Sequence, residues 1–307
     1  MQKQLLPLAI SIAALGVAVY AALKPSMVYN SPTPEEYVHD VLVPQHVKTF
    51  DLPDTLYFAR ERVPMEDPDV MERLDREIHV NTFFHSSTIF LIKRSGRWLP
   101  QITEILSEEG LPDDLVYITL IESGLQNVVS PSQAVGFWQI LKGTGKDLGL
   151  EINREVDERY DPIKSTRAAT VYLKEAYEKF GNWTNAAASY NIGKKGLADR
   201  LESQKVDSYY DLDINEETAR YLFRALALKI ILQDPVKFGY EIPEDHLYRA
   251  EKTKPVEVTE TIPDLAIWAN DQGINYKLLV RHNPWLRKNK LTVRSGNSYT
   301  IHLPEKG

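Results

Sequence analysis

Between residues 68 and 235 the sequence never alternates apolar and polar residues as a half-buried strand must. Its apolar residues recur at three- and four-residue spacing instead. Leu99, Ile102, Ile105 and Leu106 form one such set, and Gly110 stops that helix. Ala169, Leu173, Ala176 and Phe180 form another, opened by Asp161-Pro162 and ended by Gly181. Trp183 to Tyr190 reads as a short buried helix. Glu216 to Leu232 reads as a further one, with Phe223, Leu226 and Ile230 inward and Pro235 beyond its end. A stretch of this length with a single helical period predicts an all-α body. No long internal repeat is visible.

The flanks differ from the body. Lys3 precedes an apolar run from Leu5 to Leu23, about 19 residues without a charge, near the roughly 20 needed to span a bilayer. It reads as an uncleaved anchor, with a cleaved signal segment ending in the Ala-rich Ala18 to Ala22 as the alternative. Either sends the rest of the chain across the inner membrane, and Lys3 on the cytoplasmic side fits the positive-inside bias. Residues 25–66 carry Pro25, Pro32, Pro34, Pro44, Pro53 and Pro64 and are expected to be a linker or a loosely structured wrap. The helical body is placed at 67–250. A tail at 253–305 follows a short linker near Glu251 to Pro255. In it, Val256 to Thr259 and Ser298 to Leu303 alternate like strands around two short helical stretches, about 263–271 and 275–284, which predicts a β-α-α-β unit.

Composition removes several function classes. The formal net charge of -7 argues against nucleic acid as a partner. With no cysteine there is no disulfide, thiolate metal site, cysteine nucleophile or N-terminal lipid attachment through Cys. The 7 histidines form no HxxxH or HxH pair, so no zinc site is expected. A hydrophobic fraction of 43% is ordinary for a chain with a packed core.

One carboxylate stands out. Pro112, Asp113 and Asp114 open a helix on which Leu115, Ile118 and Glu122 share a face, and Gly124 caps it. Glu122 therefore faces a core or a cleft, in a last turn where the dipole disfavours negative charge. Both effects raise a carboxyl pKa and suit a general acid. The bland alternative is an apolar-face Glu paired to an Arg or Lys elsewhere, and periodicity alone does not decide between them.

The surrounding blocks bear on that choice. Ile121-Glu122-Ser123, Ser130-Pro131, Gly136-Phe137-Trp138-Gln139-Ile140, Ser189-Tyr190-Asn191 and Glu217-Thr218-Ala219-Arg220-Tyr221 stand in an order and at spacings that resemble the family 1 lytic transglycosylases, the D-type enzymes in particular. The resemblance implies a mainly α, lysozyme-like fold of the goose-type lysozyme and SLT kind. It implies that Glu122 is the general acid and base. Ser130 matches a serine that helps orient the sugar or the acid, in a stretch one residue shorter than the common pattern. Gln139 matches a polar residue lining the groove. Tyr190 and Asn191 match a block whose tyrosine hydroxyl points at the catalytic carboxyl. Glu217 matches a second acidic residue toward the far end of the groove, treated as structural or substrate-contacting. Arg220 is a candidate ion-pair partner for Glu217. Trp138 reads equally as packing or as a sugar platform, and Trp183 as core.

The family implied here acts on peptidoglycan without a metal or organic cofactor. A single Glu protonates the bond between N-acetylmuramic acid and N-acetylglucosamine, then takes the proton of the muramic C6 hydroxyl, leaving a 1,6-anhydro end. No carboxylate lies between Ser123 and Lys146, but Asp161, Glu216 or Glu217 can approach Glu122 in space. A water-using muramidase stays open for that reason. A non-catalytic wall-binding or scaffolding protein is the reading of a different class. The tail, with Asn283-Pro284 and Arg294 to Tyr299 before its last strand, resembles a LysM module. Such modules bind N-acetylglucosamine-containing glycan; here Thr259 to Pro263 replaces their usual Ser-Gly-Asp turn. The alternative is a small domain that braces the body.

Overall fold

The computed structural model describes residues 47–305. The run Leu5 to Leu23 and the membrane role expected of it lie outside the described residues. So does most of the stretch expected as a linker. Among the described residues no helix is long and apolar enough to cross a membrane.

The described end of that Pro-rich stretch departs from expectation. Strands β1 (Leu56–Phe58) and β2 (Glu61–Val63) pair antiparallel, Leu56 opposite Val63 and Phe58 opposite Glu61. Ala59 and Arg60 at φ 52° and 68° make the tight two-residue turn. Neither is Gly, and the turn is held from outside: the Ala59 N–H donates to Asp114 Oδ2 at 2.7 Å, an oxygen that also takes the Lys229 ammonium at 2.8 Å. Leu56, Phe58 and Val63 are buried while Tyr57 is exposed. This three-residue alternation was hidden by the flanking prolines, which bracket the hairpin at Pro53 and Pro64 without interrupting it.

Eight helices build the body. They are α1 (Pro68–Phe83), α2 (His85–Glu108), α3 (Tyr117–Ser123), α4 (Lys142–Asp147), α5 (Pro162–Phe180), α6 (Trp183–Ile192), α7 (Lys194–Gln204) and α8 (Glu216–Gln233). Their starts follow from side-chain caps. Asp67, Asp161, Asn182 and Asn215 each accept a hydrogen bond from a first-turn N–H of α1, α5, α6 and α8. Gly124 and Gly181, at φ 59° and 73°, end α3 and α5. The expected helix at Pro112 begins with one 3-10 turn, Asp113–Val116, before α3. Leu74 and Ile78 of α1, Ile118 of α3 and Phe223, Leu226 and Ile231 of α8 meet in one core. Ile230, expected inward, packs at that core's edge.

The tail forms β3 (Thr253–Val258), α9 (Leu265–Asp271), α10 (Tyr276–His282) and β4 (Tyr299–Pro304), with β3 and β4 antiparallel from Thr253–Pro304 to Val258–Tyr299. Val258, Leu265, Leu279, Leu291 and Ile301 make its own core, and Val156 of the body is buried in it. The seam is polar as well as apolar. Asp157 N–H donates to Trp285 O at 2.9 Å and Arg287 N–H to Glu155 O at 2.8 Å. Tyr299 Oη donates to Glu151 Oε1 at 3.0 Å, and the Arg287 guanidinium lies 3.8 Å from the centre of the Tyr160 ring.

Candidate active site

Glu122 sits in the last turn of α3, on the face shared with Leu115 and Ile118, which are fully buried. Its carboxyl is only partly accessible. Burial pushes its pKa up from 4.5 to about 7, and the charge of Glu217 adds to the rise. A hydrogen bond from Tyr221 and the guanidinium of Arg224 oppose it. Near pH 7 the group is therefore shared between acid and carboxylate, which fits such a group for either proton donation or proton uptake.

The three groups that act on Glu122 come from one stripe of α8. Glu217, Tyr221 and Arg224 are spaced i, i+4 and i+7 and so share a face. Tyr221 is fully buried, and its Oη donates to Glu122 Oε1 at 2.5 Å. Burial, and then the charge of Glu122, raise the Tyr221 hydroxyl well above its usual value, so it remains a donor. The Arg224 guanidinium lies 5.8 Å from the centre of the Tyr221 ring, and its Nε is buried without a hydrogen-bond partner. Glu217 is exposed and forms no ion pair among the described residues.

Two expectations about partners are corrected. Arg220 does not pair with Glu217. Its Nε donates to Glu77 Oε1 at 2.6 Å, and Glu77 is 1% exposed on α1. Arg76 Nη1 reaches the same oxygen at 3.2 Å, so two guanidiniums compensate this buried carboxylate, and α8 packs on α1 with Arg220 turned toward it. The Tyr190 hydroxyl makes no hydrogen bond to Glu122. Tyr190 Oη donates to Trp138 O at 2.9 Å, and the ring packs edge-on against Tyr172 at 5.2 Å. The charge of Glu122 still adds to the effect of burial on Tyr190, so the hydroxyl lies within electrostatic reach of the carboxyl. The hydroxyl on the acid belongs to Tyr221.

The remaining candidates make local contacts within the fold. Ser130 Oγ accepts from Ala134 N–H at 3.0 Å, and no hydrogen bond joins it to Glu122. Gln139, at φ 47°, uses its side-chain nitrogen to hold Gly136 O at 2.8 Å and Val128 O at 3.1 Å. Its Oε1 takes no hydrogen bond from the described residues. Asn191 Oδ1 accepts from Thr218 Oγ1 at 2.7 Å, tying α6 to the start of α8. Trp138 is fully buried, with Nε1 donating to Thr166 Oγ1 at 2.8 Å, so it is a packing residue. Trp183 is half-buried and stacks on Tyr177 at 4.2 Å.

The loop carrying Ser130, Trp138 and Gln139 is clamped by Arg159. Gly136 has φ 83°, and a Cβ there would meet Arg159 O at 2.0 Å, so only Gly fits. The Arg159 guanidinium, paired with Asp157 at 2.7 Å, donates to Ile140 O at 3.1 Å and Gln133 O at 3.2 Å. Ser123, beside the acid, donates to Phe137 O at 2.8 Å. Of the carboxylates considered as a second group, Asp161 caps α5 and Glu216 pairs with Arg76 at 3.0 Å. Among the described residues no cluster of three potential metal ligands occurs. Tyr221, Arg224 and Arg159 were not singled out from sequence. The first two were findable as the continuation of the Glu217 stripe at helical spacing.

The model of the transglycosylase SLT domain matches residues 102–212. The model of the soluble lytic transglycosylase C-terminal LysM-like domain matches residues 254–307. Over 251 residues the chain is 26% identical to membrane-bound lytic murein transglycosylase D of Escherichia coli, in two strains, covering 78% of this chain and 53% of each relative. The chain thus spans about half the length of the relatives it matches.

Proposed function

We propose, from a mainly α, lysozyme-like chain whose residues 102–212 match a transglycosylase SLT domain and whose residues 254–307 match a LysM-like domain, that this protein is a peptidoglycan lytic transglycosylase. It works in the cell envelope, on the outer side of the inner membrane and held there through residues 5–23. The division into a catalytic body at 67–250 and a module at 253–305 belongs to the same reading. The observation that carries it is Glu122, half-buried at the end of α3, raised to about 7 and bonded to Tyr221.

The protonated Glu122 donates to the oxygen joining N-acetylmuramic acid C1 to N-acetylglucosamine, and the C1–O bond breaks. The substrate's own N-acetyl carbonyl stabilises the positive charge at C1. Glu122, now a carboxylate, holds the Tyr221 hydrogen bond and faces the Arg224 guanidinium, both of which favour the ionised form. It then takes the proton of the C6 hydroxyl as that oxygen bonds to C1. The attack is intramolecular, which replaces a bimolecular encounter with water. Glu122 ends protonated and ready for another cycle. Ser130, Gln139, Tyr190, Asn191 and Glu217 form and orient the groove.

A hydrolytic reading draws on one observation. The charge of Glu217 reaches Glu122, and a muramidase needs a second carboxylate to activate water. Mass spectrometry of digested sacculi separates the two. Products ending in 1,6-anhydromuramic acid support the transglycosylase, whereas reducing ends heavier by one water sink it in favour of hydrolysis. No products from a folded protein would favour the scaffolding role.

The tail is assigned to glycan binding. A shallow pocket of about 450 Å³ runs along the loop from Thr259 to Pro263 and the side chains of Ile267 and Trp268 on α9. An apolar side chain and an indole beside backbone polar groups suit a sugar ring.

A further inference from the structure

A second cavity, of about 380 Å³, lies at the seam between the body and the tail, away from the Thr259–Pro263 pocket. One wall is Arg97 and Trp98 of α2, another is Lys164 near the start of α5, and the third is Glu251, Arg281 and His282 from the linker and α10. It lies close to the catalytic helix. Arg94, one helical turn before Trp98 and about 6 Å away along α2, donates its Nε–H to Gly124 O, the cap of α3, at 2.7 Å. Trp98 itself packs edge-on against Phe137 of the clamped loop at 5.0 Å. Asn127, three residues after Gly124, is part of the lining.

The chemistry of the lining is specific. Arg97 and Arg281 bring two cations against the carboxyls of Glu251 and Asp161, while the third, Lys164, is paired with Glu158. Asp161 has its Oδ1 occupied by the N–H groups of Ile163 and Lys164. Glu251 forms an ion pair with Arg281, lies 3.9 Å from Arg97 and 3.3 Å from His282 Nε2. The His282 side chain is only 10% exposed, yet its Nε2 makes no aligned hydrogen bond. Buried polar atoms are rarely left so. A single carboxylate from the linker thus occupies a cradle of two guanidiniums and an imidazole, and does not satisfy it. Guanidinium forks match carboxylates in geometry and charge. Trp98, Pro162 and Ile163 add an apolar wall, which free inorganic anions do not need.

We propose that this cavity binds a carboxylate of the peptide carried on the lactyl group of the glycan, so that the seam between body and tail selects strands still bearing their peptides. The inference rests on the peptidoglycan reading above. Glu251 acts as an internal placeholder that a substrate carboxylate displaces from Arg281 and His282. The apolar wall takes the alanyl part of the peptide.

Two measurements on the purified full chain test it. Calorimetric titration with muramyl dipeptide, and with the same molecule capped as its uncharged amide, reads the carboxylate directly. The acid form is expected to bind about tenfold more tightly than the amide, with Arg281→Gln removing that difference and Glu251→Gln enlarging it. Equal binding of acid and amide, or a difference unchanged in both variants, overturns the proposal. The second measurement compares kcat/KM on strands with peptides intact and on strands stripped by an amidase. The intact-to-stripped ratio should fall about tenfold in Arg281→Gln. An unchanged ratio in a variant with wild-type unfolding temperature also overturns it. Failure of the wild-type protein to cleave either strand would instead strike the transglycosylase reading, and the titration would still decide the cavity.

Discussion

Across 99 residues of chain, the hydroxyl of Tyr221 on α8 donates to Oε1 of Glu122 on α3 at 2.5 Å. This bond sets a half-buried acid against a donor that keeps its own proton, and it ties the acid's ionisation to the packing of two helices.

Replacing Glu122 with Gln keeps the shape and the acceptor oxygen but removes the proton. Release of anhydromuropeptides should fall by about 10²- to 10⁴-fold. The same variant reports on stability. The folded-state pKa is raised to about 7 from an ordinary 4.5, so the folded protein holds this proton more tightly than the unfolded chain. Stability from this group is present below about pH 4.5 and is lost as pH rises to about 7. Glu122→Gln should therefore match the wild type near pH 5 and melt at a higher temperature at pH 8. Equal melting temperatures at both pH values would contradict the burial argument.

Tyr221→Phe removes a hydrogen bond that lowers the Glu122 pKa. The high-pH limb of kcat, where the acid loses its proton, should move upward, and the maximal rate should drop about tenfold because the developing carboxylate loses its donor. Tyr190→Phe, whose hydroxyl bonds Trp138 O instead, should leave that limb where it is. A pH–rate profile of both variants checks the assignment.

Gly136→Ala forces a Cβ to 2.0 Å from Arg159 O at a positive φ. The loop must lift off its Arg159 clamp, at a cost of about 2–4 kcal/mol. Denaturant unfolding should show that loss, and activity should fall with it because the loop carries Gln139 and the Phe137 carbonyl bonded by Ser123.

Trp268→Ala opens the tail's pocket without touching the seam. Co-sedimentation with sacculi should weaken several-fold. Deleting residues 253–307 is the poorer test, because it also strips Val156 of its buried environment and removes the Trp285 and Tyr299 contacts to the body. Unchanged sedimentation of Trp268→Ala would leave the tail as a brace.

Much of this architecture could be read along the chain. The helices that end at Gly110, Gly124 and Gly181, and those at Trp183–Tyr190 and Glu216–Leu232, follow from local spacing and from caps a few residues away, such as Asp161 before Pro162 and Gly181 after Phe180; α4 and α7, with few apolar residues to mark a face, were not legible. The tail's two strands and two helices follow from equally local alternation. The inward face of Glu122 was legible too, because Leu115 and Ile118 lie on the same helical face. The hairpin at 56–63 was not. Three-residue strands give too short an alternation to stand out among prolines, and the turn at Ala59 is held by Asp114, 55 residues away.

What the sequence by itself determined is therefore local: the strongly periodic helices, several of their stops, and that one carboxylate faces inward. The tertiary structure decided the partners. The rotation of α8 on α1 sends Arg220 to Glu77 and brings Tyr221 and Arg224 to Glu122, and the seam with the tail gathers Arg97, Arg281 and Glu251 around one cavity. Periodicity constrains neighbours three or four residues apart. Which distant side chain meets a given helix face depends on how that helix is turned about its axis, and packing fixes this only once the whole core has assembled.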